Sequence, residues 1–398
     1  MHTPKNSKHF KEYINENGVK CYILSTRIAP LQKAMYFVGS GASDDGRYLW
    51  LCCAYPPRTG FSMAVIDFLT DEIHHFPETH LGIGVGWMVD GKTGNLYWIS
   101  SGMFFYSEGL YMRTPNPKDK PIKLAAIPAK ISKYGVLYGA THLTFTPDRK
   151  EILADIQTQN GSFVGTFNLG DGSFQQWYSS PYGIFINHAQ MNPADNDLCM
   201  CANEFFTDYR NGGAAIAPPL TEEGIYPRLQ LIRRDGSREI RKALNNMATH
   251  EWWSADGKSL YYCDPFKEQI LRDDTDKYNP EVIFTNPYKG EYACNHAYCT
   301  ADGKYFAMCG FFNEGDIVWY YGGKTYVRFW NNESKKLIDI VSLNPVVDGW
   351  TPENQSPYQI DPMPRFVAKD KWITFTTTVD GRADLALAET EQLVEMTR

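Results

Sequence analysis

Four histidines stand in one register of a repeated stretch, and an imidazole in such a place takes a proton or binds a metal. His250 lies six residues before Asp256, His296 six before Asp302, His142 six before Asp148, and His188 seven before Asp195. One such histidine reads as a strand-start residue bonded to a neighbouring loop. Four in register, on consecutive copies, predict one functional cluster. Other chemistries leave no comparable pattern. No HExxH helix and no GxSxG nucleophile elbow occur. A two-acid glycosidase would have to draw on Glu251, Asp208 and Asp361, which no spacing pairs. A histidine base with an arginine suits β-elimination from a uronate. There the proton on C5 must be removed, and a cation must neutralise the carboxylate as charge develops.

The stretch that carries the histidines also sets the fold. Its Asp-led turn recurs without a histidine at Ser43-Asp44-Asp45-Gly46, at Asp90-Gly91, and in a degraded form at Ala368-Lys369-Asp370. That makes seven copies; Asp45 to Asp90 is 45 residues and Asp302 to Asp370 is 68. Propeller blades of roughly 40–50 residues, some with insertions, have this period. Each turn joins two short runs rich in Tyr, Trp, Phe, Ile and Leu, as strands prefer. Asp-Gly supplies the tight-turn chemistry. These features predict an all-β chain folded as a seven-bladed β-propeller, a single unit over residues 1–398. Residues 1–39 form an N-terminal arm and a ring-closing strand, and the blades occupy about 40–398. Cys21–Leu24 is expected to close the ring against the C-terminal blade, because an open ring would expose sheet edges. Ala34–Val38 also reads as a strand. In this fold the histidines would ring one mouth of the central channel.

Composition narrows the partners. A net charge of −7 argues against nucleic acid. Nine cysteines without a CxxC framework suit free thiols in a reducing compartment. No apolar run approaches membrane-spanning length, and Met1–Asn6 opens no signal peptide, so a cytoplasmic location is expected. The 25 Tyr and 10 Trp fit both a β-rich chain and one that handles sugars. Two insertions carry candidate ligand groups. One runs through Tyr209, Arg210 and Gly212-Gly213 to Arg228. The other, Val346–Pro364, holds Trp350, Gln359, Asp361 and Met363. Trp253 and Trp350 are the aromatic candidates for contact with a sugar.

The ordered set His188-Ala189-Gln190-Met191-Asn192-Pro193, Arg228, Thr249-His250-Glu251-Trp252-Trp253 and Asn295-His296 resembles the motifs of the oligogalacturonate lyases, over roughly residues 30–390. The resemblance implies a seven-bladed propeller that cleaves short α-1,4-linked galacturonides by β-elimination, assisted by a divalent metal such as manganese. It implies His250 as the base, Arg228 as the group that holds a carboxylate, and His296 as a metal ligand. The family's remaining ligands are a Gln and a His-Pro-His segment. Here the segment reads Gln359-Ile360-Asp361-Pro362-Met363-Pro364, so Gln359 is kept, both histidines are gone, Asp361 is a possible ligand, and Met363 is a poor donor for a hard ion. Either the metal site is rebuilt or the metal is absent. Two alternatives stand beside this. Propeller lyases of ulvan or rhamnose-glucuronate links work without metal through His, Tyr and Arg, a set that His142, His188, Tyr209 and Arg210 would supply. A non-catalytic propeller binding a sugar or a protein would explain the lost ligands. The expected partner under the first reading is an acidic oligosaccharide, reached through an open, basic, aromatic-edged mouth.

Overall fold

In a computed structural model, seven four- or five-stranded antiparallel sheets form a seven-bladed β-propeller. The structure describes residues 1–82, 86–102, 106–208, 210, 212–215, 228–243, 248–288, 291–312, 324–347, 358 and 360–398. The innermost strands of the first three blades are Leu31–Lys33, Trp87–Val89 and Leu143–Phe145. Those of the next four are Ile184–Met191, Thr249–Trp253, Glu291–Cys299 and Arg365–Val367.

The repeated turn is explained by one hydrogen-bond set. Ser43, Thr146, Ser254 and Thr300 each donate a hydroxyl to the carboxylate two residues on, at 2.6–2.8 Å. The same carboxylate oxygen accepts the backbone N–H two residues further, at 3.0–3.1 Å. Each turn therefore satisfies its own polar groups, which a solvent-facing corner between two buried strands requires.

The last blade joins both ends of the chain. Arg365–Val367, Trp372–Thr377 and Asp384–Glu389 are followed outward by Lys20–Leu24 and then Phe10–Ile14. Cys21 pairs with Ala388, Tyr22 with Leu387 and Ile23 with Ala386, so the expected ring-closing strand is present. Residues 10–14 add a fifth strand. The last strand is followed by a short helix, Thr390–Met396.

Two boundaries differ from the sequence reading. The first blade starts at Leu31 rather than near residue 40, and Ala34–Val38 is not a strand. Those residues are apolar for another reason. After Lys33 the chain leaves the sheet, turns with Gly39 N–H donating to Tyr36 O at 2.8 Å, and returns at the Ala42–Leu49 bridge. Gly41 makes the return at a φ of +65°, where a side chain would be strained. Phe37 is fully buried by this excursion. Its hydrophobicity reports burial on the propeller axis, which a propensity argument cannot distinguish from a strand.

Candidate active site at the propeller axis

Each inner strand runs from the histidine register down to its Asp turn. Regular alternation would dictate which way the histidines face. In the fourth and fifth blades the alternation is broken. The pairing slips between Asn187 and Gln190, and between Thr249 and Trp252. His188 and His250 lie in these slips with left-handed backbone, φ 54° and 52°. A non-glycine residue there is uncommon and strained, and such bulges re-aim side chains beside functional sites. The sixth blade slips between Tyr292 and His296. The seventh has the left-handed kink, φ 48°, but at Met363.

The four histidines come together in two pairs. The rings of His142 and His188 meet edge-on with centroids 4.7 Å apart; those of His250 and His296 are 4.0 Å apart. Tyr36 lies 5.3 Å from His142, 5.9 Å from His188 and 5.5 Å from His296. Phe37 lies 5.7 Å from His250 and 5.2 Å from His296. The loop that leaves the first blade thus fills the axis among the imidazoles. His296 is 1% exposed, His142 and His250 5%, and His188 9%. The open mouth expected from the sequence is not formed at the histidines themselves, because Tyr36 and Phe37 pack against them.

Behind His188 stands a buried charge chain. Its Nδ1 is 3.6 Å from Oε1 of Glu251, whose Oε2 is 3.4 Å from Nη2 of Arg228; Nη1 of Arg228 pairs with Glu204. Burial alone would raise the Glu251 carboxyl, but Arg228 and His188 outweigh it and hold it down to about 2. Glu251 is therefore ionised and can orient the His188 ring. Arg228, expected to hold a substrate carboxylate, already faces two carboxylates of the protein. The Glu204 side chain, 23% exposed, is the one a ligand can displace. Burial pushes His142 well below its usual range, with His188 adding and Glu251 opposing. Burial, His188 and Lys33 bring His296 down to about 3. Both are neutral at pH 7. Thr141 ties the first pair to the third blade, donating N–H to Asp155 Oδ1 at 2.9 Å and accepting His188 N–H at 2.8 Å.

Around this end of the axis, strand ends and connections carry exposed aromatics: Tyr55 at 38%, Tyr138 at 40%, Phe266 at 73% and Tyr288 at 48%. The sequence reading passed over these, since an isolated aromatic at a strand end or in a turn has no period. Arg210 lies there too, exposed, with its guanidinium 3.8 Å over the Tyr182 ring. Trp253 does not. It is 6% exposed, packs with Leu260 and Tyr262 in the core, and donates Nε1–H to Gln190 O at 3.0 Å. The slip that turns His250 to the axis leaves Trp253 inside the blade, so it is a structural clasp and not a sugar platform. Gln190 Nε2 returns a bond to Glu251 O at 2.7 Å, and Asn192 Nδ2 donates to Gly257 O at 2.8 Å. The Gln and Asn of the His188 motif therefore join two blades. Tyr209, Trp350 and Gln359 lie outside the described residues.

No family model matches the chain, and no curated protein matches it. The fold is shared with oligogalacturonate lyases. An oligogalacturonate lyase in complex with manganese superposes with a TM-score of 0.69 at 17% identity, covering 97% of each chain. An oligogalacturonate lyase from Vibrio parahaemolyticus gives 0.70 at 14%, covering 96% of each. A puromycin hydrolase gives 0.52 at 14%, covering 88% of this chain and 53% of its own. At these identities the likeness is one of fold.

The manganese complex raises the question of whether this chain's residues fit a divalent ion. His296 is in place, its Nδ1 3.8 Å from the Cys309 thiol. Asp361 is 4% exposed, and the cation that bears on it is Lys33, which is fully buried. Burial drives Asp361 up to about 7 against the pull of that ammonium. Met363 is 1% exposed and packs with Phe37 and Trp252. Among the described residues no three His, Cys, Asp or Glu side chains could hold a metal. One imidazole, a carboxyl facing an ammonium, and a packed thioether do not suit a hard divalent ion. Lys33 carried no signal in the sequence, being one lysine at the end of a three-residue strand.

Proposed function

We propose that this chain is a lyase acting on uronate-containing oligosaccharides by β-elimination, without a divalent metal. The observation that carries the reading is the pair His188 and His250. Both are held in left-handed bulges at one end of the axis, with the Glu251–Arg228 chain directly behind. His250 takes the C5 proton. The C4–O bond breaks, its electron pair leaves with the departing oxygen, and the C5–H pair becomes the C4=C5 double bond. Arg228, released from Glu204, holds the uronate carboxylate while charge develops beside it. His188, oriented by Glu251, protonates the leaving oxygen. The exposed tyrosines and Phe266 supply stacking faces for the flanking sugars. The shared fold with oligogalacturonate lyases supports the substrate class.

The experiment is the rise in ultraviolet absorbance of an unsaturated uronate, measured on oligogalacturonides, ulvan fragments and rhamnose-capped glucuronides, with and without chelator. A rise on one of these that survives chelator and falls about 10²–10⁴-fold in His250→Ala is expected. A rise that chelator abolishes would overturn the metal-free part.

A second reading is a non-catalytic sugar-binding propeller. It is favoured by Phe37 packed against His250 and by the two carboxylates already on Arg228. It is distinguished by saturable binding of one of these sugars with no absorbance change.

A further inference from the structure

A second feature of the axis adjoins the histidines. A cavity of about 210 Å³ is lined by Trp87, Met88 and Val89, which are three to one residues before Asp90, and by Leu143, five before Asp148. Arg365, five before Asp370, also lines it. These registers run from the histidine level, where Thr141 and His142 also line it, towards the Asp turns. Its volume is below the roughly 300–1,000 Å³ of drug-sized pockets, so it suits a small molecule.

Arg365 is out of place in such a channel unless something meets it. Its Nε and Nη1 are buried and have no hydrogen-bond partner among the described residues. The guanidinium carbon lies over Tyr298, 3.1 Å from the ring centroid, which covers that side of the group with an aromatic ring. No carboxylate among the described residues lines the cavity. Asp370, whose charge bears on Arg365, accepts instead from Ala301 N–H at 2.9 Å. His142 reaches the same cavity from the opposite blade, and its Nε2 is also buried with no hydrogen-bond partner among the described residues. Buried polar groups are almost always satisfied, and a guanidinium with free in-plane donors matches a planar two-oxygen acceptor. Apolar side chains (Met35, Val38 and Phe145 with those already named) make up much of the remaining wall, beside the hydroxyl-bearing Tyr36, Ser40, Thr141 and Thr144, a mixture that suits a small carbon frame carrying a hydroxyl.

We propose that this cavity binds a small organic carboxylate, held in plane by Arg365 with His142 Nε2 meeting a hydroxyl at its other end. The site uses neither His250 nor Arg228, although its His142 packs against His188 with ring centroids 4.7 Å apart.

The test uses the full chain and sodium glycolate, with acetate, inorganic phosphate and chloride at matched ionic strength, read by calorimetric titration and by thermal midpoint. Saturable glycolate binding is expected, at least tenfold weaker in Arg365→Met. Without ligand, Arg365→Met should melt at or above the parent temperature, because an apolar chain of similar length replaces a cation without a partner. Four results would overturn the proposal. Three are failure of both glycolate and acetate to bind, equal binding by Arg365→Met, and phosphate binding as tight as that of glycolate, which indicates an inorganic-anion site. The fourth is an Arg365→Met chain that does not fold, since the guanidinium would then be satisfied within the protein.

Discussion

The residues at the axis are poised by burial, and burial has consequences that differ in sign. His296 titrates near 3 in the folded chain and near 6.5 when unfolded. Between those values the unfolded chain binds one more proton, so stability is lost as pH falls below 6.5. His296→Leu removes that proton linkage. The stability of the parent relative to this variant, by denaturant titration, should drop by about 1.4 kcal/mol between pH 7.5 and 5.5. Asp361 and Asp155, which burial raises to about 7 and about 6, act the opposite way, but they are present in both proteins and cancel in the comparison. Glu251 has the usual carboxylate sign. Its carboxyl is held at about 2, so its contribution is present above 4.5 and lost as pH falls from there towards 2. Glu251→Gln leaves His188 without its carboxylate and Arg228 with Glu204 alone. A loss of about 3–5 kcal/mol at pH 7 is expected, as when one partner of a buried pair is removed. A loss below about 1 kcal/mol would mean that the charge chain is already open to water.

At the scale of elements, the Asp turn was legible and its neighbours were not. Ser-Ala-Asp-Gly at 254–257 and Thr-Ala-Asp-Gly at 300–303 look alike in sequence, and their glycines have φ of +70° and +69°. The blades packed against them differ. A Cβ on Gly257 would stand 2.2 Å from Asn192 Oδ1, whereas one on Gly303 would meet Tyr261 Oη at 3.3 Å. Both alanine variants incur the left-handed cost of about 1 kcal/mol. Gly257→Ala should lose a further 1 kcal/mol or so, because it also breaks the Asn192–Gly257 clasp between blades. Equal melting temperatures for the two would show that the clasp contributes nothing. The same division runs through the site. The histidine register was readable because it repeats. Glu204, Lys33 and the Tyr36–Phe37 loop were not, since each appears once and reaches the axis through the fold. Trp253 was misjudged because a bulge one turn of sequence away decides which face it takes.

At the scale of the whole molecule, the ring is held closed by strands from opposite ends of the chain. The seven turns implied this closure, and the pairing of Cys21–Ile23 with Ala386–Ala388 delivers it. Val19, Cys21, Ile23 and Leu24 are each at most 1% exposed, so this segment is core rather than a surface strap. Asn15 carries the seam to the sixth blade, donating Nδ2–H to Asp339 O at 2.7 Å, and Lys11 pairs with Asp380 at 2.7 Å. Deleting residues 1–25 would strip both outer strands from the last blade and leave Asp384–Glu389 as an apolar open edge. Such an edge templates pairing with other chains. The truncated protein should aggregate or lose its near-ultraviolet circular dichroism, as judged beside the parent by size-exclusion chromatography. A synthetic peptide of residues 1–27, added during refolding, should restore a monodisperse species, because every backbone bond of the seam is intermolecular once the chain is cut there. A truncated chain that stays soluble and melts with the parent would place the closure elsewhere in the ring. Since the histidines sit on four consecutive blades, a ring that opens at the seam should also spread the two imidazole pairs. Loss of the native signal and loss of any sugar binding should therefore follow the same titration with peptide.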